Sequence, residues 1–325
     1  MDEKLVVCHF TPLLSLVDGG IERSVLQQRK ALEDRSVEVV ESPFHGFDVL
    51  HLNYFDPVSI LVFSWAYLSG RDIVVHAHTT AEDFRDSVRF SNFLAPLVDV
   101  FTGFFYRRAD RVVAPSQYTR GLLEDKGVGS VKVVSNGIDT DRLEGCSTVE
   151  KGEGFDVVNL GFVFERKGLS DFVSVAEEMP EAEFHWFGPR VEGFMSSNRV
   201  EEAIQDSPDN AEFPGFIDNV NDAFELADVF FLPTREENQG MSVLEAAYVG
   251  VPVVIRDIPV FEQWFEDGVH CLKADSVEGF VEALQILRED RDLRQRLVRN
   301  AREVAEQHTL DEVGKSLEKV YTSLQ

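Results

Sequence analysis

The chain has 325 residues, 44% of them hydrophobic, enough to bury two modest cores. No apolar run reaches the ~18 to 20 residues of a membrane-spanning helix. Lys and Arg number 31 against 58 for Asp and Glu, a net charge of −27 that excludes nonspecific nucleic-acid binding. Three scattered cysteines, Cys8, Cys146 and Cys271, have neither metal-ligand spacing nor the even count of a disulfide framework. The acids are dispersed rather than gathered in a tail, and only 9 of the basic residues are Lys against 22 Arg. This resembles a salt-adapted, haloarchaeal-like (halophilic) surface, where molar salt shortens the Debye length to ~3 Å and mutes self-repulsion. The charged start MDEKLVV runs straight into a strand-like segment, so no signal peptide is expected and the location is expected to be cytoplasmic.

Short apolar, β-branched runs alternate with helical patterns along the whole chain, the mark of parallel βαβ units. KLVVCHF reads as a strand, TPLLSLVDGG as a loop and IERSVLQQRKAL as a helix. VEVVES and FDVLHLN follow as strands, then a helix at PVSILVFSWAYL, the strand DIVVHAH and a long helical region over 92–108. RVVAPS and VKVVSNG close this half. The polar, Gly-rich stretch EGCSTVEKGEG carries no periodicity and reads as a linker. A second α/β series then runs through FDVVNLGFVF, DFVSVAEEM, AEFHWFG, VEEAIQD, AEFPGF, NDAFELA, DVFFLPT, MSVLEAAYVG and VPVVIRD. The region from about Ser276 is helical, with Leu284, Leu287, Leu293 and Leu297 as core-face candidates. The expected division is a first Rossmann-like domain over 1–147, a second over 148–305, and a final helix over 306–325 packing back on the first. Two doubly wound domains of this kind direct their strand carboxyl ends toward a shared cleft.

The stretch LPTREENQGMSVLEAAYVG places Glu237 in a loop after a buried strand, and Glu245 eight residues on inside the following helix. Gly250 ends that helix and Pro252 lies just beyond. The first helical amides, near Gln239 to Ser242, form a seat for a phosphate. The two acids can accept hydrogen bonds from sugar hydroxyls on either side of a diphosphate; Glu245 also reads as a buried structural acid. Asp18-Gly19-Gly20-Ile21-Glu22 opens a helix after the first strand, and its glycines let the backbone approach a phosphate closely. His76 and His78 alternate on one face of a strand, without the further clustered ligands of a metal site.

These segments resemble the retaining GT-B glycosyltransferases of family four, glycosyl transferases group 1. The resemblance covers nearly the whole chain. It rests on Glu237 and Glu245 as the E-x7-E pair, on Gly19-Gly20 with Glu22, on SNGIDTDRL before the linker, and on NLGFVFERKG in the second half. It implies an α/β fold of the GT-B type and metal-independent, retaining transfer of a hexose from a UDP- or GDP-linked sugar to a hydroxyl. No cofactor is implied, and domain closure is expected to exclude water. Glu237 would contact the donor sugar, Glu245 the ribose, and Lys167 the diphosphate, with Asn238, Gln239, Gly240, Met241 and Ser242 lining the donor. His78 would lie beside the reacting sugar. Thr79, Thr80, Glu82 and Asp83 would line the acceptor side, where Asp83 or Glu82 could serve as a base. The sequence departs from the family twice. Asn238-Gln239-Gly240-Met241 stands where the family has Gly-Phe-Gly, and Phe162 where it has an arginine, so either Arg166 substitutes or the grip rests on Lys167 and backbone amides.

HAHTTAEDFRDS, FERKG and HWFG are most similar to members that glycosylate diacylglycerol-type lipids. SNFLAPLVDVFTGFFYRR reads either as a core helix with a basic end or as an interfacial helix for peripheral membrane association at the inner membrane surface. Other readings are a transferase of polysaccharide or protein-glycan assembly, a GT-B sugar-nucleotide epimerase, and a non-catalytic GT-B binding subunit.

Overall fold

A computed structural model describes residues 4–12, 20–147, 154–191 and 197–325. Its chain contacts divide into two units. The first comprises residues 1–81, 96–139 and 308–325; the second comprises 82–95 and 140–307.

The first unit holds a six-stranded parallel sheet in the order β2-β1-β3-β4-β5-β6. Its strands are β1 (Leu5–His9), β2 (Val37–Val40), β3 (Val49–Leu52), β4 (Asp72–His76), β5 (Arg111–Ala114) and β6 (Val131–Val133). Val7 pairs in register with Val39 and Val49, and Val75 with Leu52 and Val112. Helix α1 (Gly20–Leu32) covers one face together with α13 (Leu310–Thr322), whose Val313, Leu317 and Val320 complete a core over Val7, Val49 and Val74. The other face is covered by α2 (Pro57–Leu68), α4 (Ser91–Tyr106) and α5 (Gln117–Asp125), with Phe63, Phe105 and Leu123 in its core. The short α3 spans Ala81–Phe84. Local chemistry sets the helix starts. Asp56 caps α2 by accepting from the Val58 amide at 2.8 Å, with Pro57 pre-shaped for the first helical position. Ser116 caps α5 by accepting from the Thr119 amide at 3.0 Å.

The second unit repeats the architecture in the order β12-β11-β10-β7-β8-β9. The strands are β7 (Asp156–Leu160), β8 (Glu183–Phe187), β9 (Ala211–Gly215), β10 (Val229–Leu232), β11 (Val253–Arg256) and β12 (Leu272–Ala274). Around them lie α6 (Leu169–Glu178), α7 (Asn198–Gln205), α8 (Val220–Leu226), α9 (Met241–Val249), α10 (Pro259–Glu262), α11 (Val277–Glu289) and α12 (Arg291–Ala305). Counted within the unit, this strand order is 3-2-1-4-5-6, the Rossmann arrangement, with a crevice at the carboxyl ends of β7 and β10 where the winding reverses. In the core Phe172 stacks on Phe231 and meets Trp186 edge to face, and Leu284, Leu287 and Leu297 are buried in it with Leu293 packed alongside. Strand β12 escaped the sequence reading because it has only three residues, all half-buried.

Candidate functional site

At the reversal point of the second unit, two loops meet. One leaves β7 and ends in a turn at Glu165–Lys167; the other leaves β10 and runs from Pro233 to Gly240. The Arg235 amide donates to the Arg166 carbonyl at 2.8 Å, and Arg166 Nη1 donates to the Glu236 carbonyl at 2.7 Å. So close an approach requires Gly168. It has φ 86°, and a Cβ there would stand 2.2 Å from the Pro233 carbonyl oxygen. Arg256, at the end of β11, donates through Nε to that same carbonyl at 3.0 Å and pairs with Asp171 at 2.5 Å, bracing the loop from beneath.

These contacts bring Lys167 and Glu237, 70 residues apart in the chain, into an ion pair. Glu237 is almost wholly buried, so its charge leaves water only because the lysine meets it. Arg166 is equally buried and pairs with Asp83 at 2.9 Å. Burial pushes the Asp83 carboxyl up; Arg166 opposes that shift and Glu237 adds to it. Asp83 is therefore grouped with the Arg166–Lys167 turn, whereas Thr79 and Thr80 belong to the first unit. The segment carrying Asp83 is held by the Arg166 amide donating to the Asp86 carbonyl at 3.2 Å, with Asp86 itself at φ 50°. Glu82, Arg85, Asp86, Arg166, Arg235 and Glu236 line a cavity of about 200 Å³ beside this group. Phe162 stacks on Phe164 with ring centroids 5.2 Å apart, so the position where the family carries an arginine is aromatic here.

Helix α9 begins beyond Gly240, whose φ is 82° and where a Cβ would lie 2.7 Å from the Phe261 ring. Both constraints select glycine and fix how the amides of Met241 and Ser242 leave the loop. Asn238 and Gln239 are buried just before it. Glu245, one turn inside α9, is buried and faces Arg142 Nη1 at 3.6 Å. In the sequence Arg142 is an ordinary basic residue in DTDRL, and nothing in its spacing points to Glu245. Gly250 ends α9 at φ 93°.

In the first unit, the strand carboxyl ends gather histidines. His9 ends β1, His51 lies in β3, His76 ends β4, and His78 follows two residues later. His51 and His76 stack at 5.8 Å between centroids, and His76 and His78 at 4.1 Å with rings parallel to 1°. Tyr321 of α13 reaches His51 Nδ1 at 2.7 Å and His9 Nε2 at 2.9 Å. Burial pushes His9 and His78 down to about 3, and His51 and His76 in the same direction. Only the pair in HAHTT was anticipated from sequence. The shared signal, a histidine at the end of an apolar strand in VVCHF, VLHLN and IVVHAH, was there to be read. Gly20 begins α1; Gly19 lies outside the described residues.

Taken together, two six-stranded parallel sheets with flanking helices define a GT-B fold. The family model for Glycosyltransferase Family 4 matches residues 42–142, and that for Glycosyl transferases group 1 matches residues 147–304. The processive diacylglycerol alpha-glucosyltransferase of Acholeplasma laidlawii is 31% identical over 320 residues, 94% of each chain. The alpha-galactosylglucosyldiacylglycerol synthase of Streptococcus pneumoniae is 25% identical, covering 90% of this chain and 83% of that one. Among solved structures, Anabaena HepE in complex with UDP and glucose superposes with a TM-score of 0.72 at 15% identity over 98% of this chain and 99% of that one. Sucrose-phosphate synthase from Thermosynechococcus elongatus superposes with a TM-score of 0.78 at 15% identity over the same shares. The chain belongs to the glycosyl transferases group 1, and it is a glycosyltransferase.

Proposed function

We propose that this glycosyltransferase moves a hexose from a UDP- or GDP-linked donor to a hydroxyl of a membrane glycerolipid or glycolipid, with retention and without a metal. Lys167 meets the charge that develops on the departing diphosphate, aided by the first amides of α9. Arg166 already shares its Nη1 between Asp83 and the Glu236 carbonyl, so the grip rests on Lys167 in place of an arginine at Phe162. Glu237 holds the donor sugar, Glu245 the ribose, and Gly19, Gly20 and Asn238 to Ser242 border the donor. His78 lies beside the reacting sugar, Thr79, Thr80, Glu82 and Asp83 serve the acceptor side, and Asp83 also orders the Arg166 turn. Retention is supported by the alpha linkage named for both relatives.

The observation that carries the lipid acceptor is a pair of outward apolar stripes. On α2, Val58, Leu61, Trp65 and Leu68 recur at helical spacing, and Leu68 is 84% exposed. On α4, Phe93, Leu97, Val100 and Phe104 do the same, although the opposite side of each helix already packs on a core. Their 28 residues contain one acid, Asp99, where the chain average would place about five. Arginines sit at the stripe ends: Arg108 lies 3.6 Å over the Phe104 ring and Arg71 5.4 Å from that of Trp65. An acid-poor apolar face with cationic edges suits a bilayer surface. No helix of the described residues is long and apolar enough to cross one.

Cosedimentation with vesicles of phosphatidylglycerol and diacylglycerol tests this in molar KCl, where the remaining acids are screened. The triple variant Leu61→Gln, Leu68→Gln, Leu97→Gln is expected to lose roughly tenfold or more in partitioning, at about 0.8 kcal/mol per withdrawn methylene. Equal binding of the variant and the parent would remove the bilayer from the reading.

A further inference from the structure

The connection between β2 and β3 contains no helix. It holds a tight turn, Ser42-Pro43-Phe44-His45, closed by the His45 amide donating to the Ser42 carbonyl at 3.2 Å. The Phe44 amide donates to Ser42 Oγ at 3.3 Å, and Pro43 presets the backbone at the first corner. Two phenylalanines leave this segment with opposite fates. Phe47 is buried in the same core as Phe63, whereas Phe44, at the apex, is 96% exposed, more than any other large hydrophobic side chain among the described residues.

A lone exposed ring needs no explanation, but this one is joined to a larger face. Phe47 meets Trp65 of α2 edge to face at 5.9 Å between centroids. Arg71, just past the end of α2, lies 4.6 Å over the Phe47 ring and donates to the Phe47 carbonyl, so it ties the turn to the helix. Phe63 of α2 in turn meets Phe105 of α4 at 5.0 Å. The turn, α2 and α4 are therefore linked neighbours within the first unit. Residues 42–47 and 57–70 carry no Asp, Glu, Lys or Arg, although the chain average of 27% would place about five in those 20 positions. The acids that flank the turn are held by the protein: Glu41 pairs with Arg29 at 3.1 Å, and Asp48 accepts from the Val6 amide at 2.9 Å.

We propose, resting on the bilayer reading above, that this turn is a separate insertion point, with Phe44 entering the boundary between headgroups and acyl chains beside the stripe of α2. A third contact outside the two helices sets the tilt at which the first unit sits on the surface. The shape favours a bilayer as the occupant. A protein partner would have to offer a matching pocket to a single apex ring, whereas a lipid surface closes around it. Pro43 and two hydrogen bonds already hold the turn, so insertion orders little that was free. The uncharged surface next to the ring leaves no ionised group to be dragged out of water with it.

The test places a tryptophan at the apex. Phe44→Trp, made in the full chain together with Trp65→Phe, is mixed in molar KCl with vesicles of phosphatidylglycerol and diacylglycerol that carry bromine on their acyl chains. Trp65→Phe alone supplies the baseline from Trp186 and Trp264. The expected result is a blue-shifted emission from position 44 that the bromines quench. Phe44→Ser should lower partitioning into the same vesicles roughly tenfold, the scale of withdrawing one aromatic ring from an apolar surface, with the unfolding midpoint unchanged. A tryptophan at position 44 that stays in water while the protein sediments with the vesicles would overturn this inference and leave the bilayer reading standing. A parent that does not sediment with them would strike that reading, and the insertion point with it. A dimer formed without vesicles and dissolved by Phe44→Ser would give the turn to a second copy of the chain, and so overturn its assignment to a bilayer.

Discussion

Lys167→Ala is expected to lower kcat by roughly 10²- to 10³-fold, the scale on which removal of one preorganised charge-stabilising donor acts. On the proposed role, the effect should fall on kcat more than on donor KM, because the charge that Lys167 would meet grows as the glycosidic bond to the diphosphate breaks. Glu237→Gln separates two consequences of the same ion pair. It frees Lys167 from its buried counter-ion, so the nucleoside diphosphate should bind as tightly as in the parent or several-fold tighter, by isothermal titration. Transfer should nevertheless fall, because the carboxylate proposed to hold the donor sugar is gone. Weaker diphosphate binding in Glu237→Gln, or an unchanged kcat in Lys167→Ala, would mean that the ion pair is structural only.

The first unit is expected to unfold in acid before the second. His9 is fully buried and pushed down to about 3 by burial, with Arg29 acting the same way; His51 and His76 are pushed down first by burial and then by neighbouring histidines, His9 and His78 among them. An unfolded histidine near its ordinary 6.5 takes up a proton that the folded unit refuses. Stability is therefore complete above about pH 6.5 and is lost as the pH falls below it, at about 1.4 kcal/mol per pH unit for each group. Two such groups remove about 4 kcal/mol by about pH 5. The others add to this, against a total of about 5 to 15 kcal/mol for a typical domain. Hydrogen exchange followed through an acid titration should show peptides of β1, β3 and β4 losing protection while those of β7 and β10 retain it. His51→Leu should flatten the dependence. Protection that persists in β1, β3 and β4 to about pH 4.5 would contradict the account.

Much of the fold lay in the periodicity of the sequence. Runs such as DIVVHAH and DVFFLPT are buried strands because both sheet faces are covered, and Gly250 closes α9 because a helix ends readily on a left-handed residue. The Lys167–Glu237 meeting was approached from the resemblance, but its cause, Gly168 against the Pro233 carbonyl, depends on a distance that no spacing encodes. The same holds for Arg142 at Glu245 and for Asp83 at Arg166, where partners 103 and 83 residues away are chosen by packing. Tyr321 was invisible for a further reason: a buried phenol inside a polar cluster reads in sequence as a solvated residue. The sequence of α4 read either as a core helix or as an interfacial one; the structure shows its core side in the buried Phe105, while Phe104 faces outward.

The central claim is transfer of a sugar from a nucleotide donor to a lipid hydroxyl. Its most direct measurement is nucleotide release from UDP- and GDP-hexoses at high and low salt, with diacylglycerol vesicles, extracted glycolipid or soluble sugars as acceptor, and with the anomer of the product read by NMR. The account predicts lipid-dependent release from one donor, an alpha-linked product, and loss of both in Lys167→Ala and Glu245→Ala. Release with soluble acceptors alone would contradict it and place the enzyme in glycan assembly.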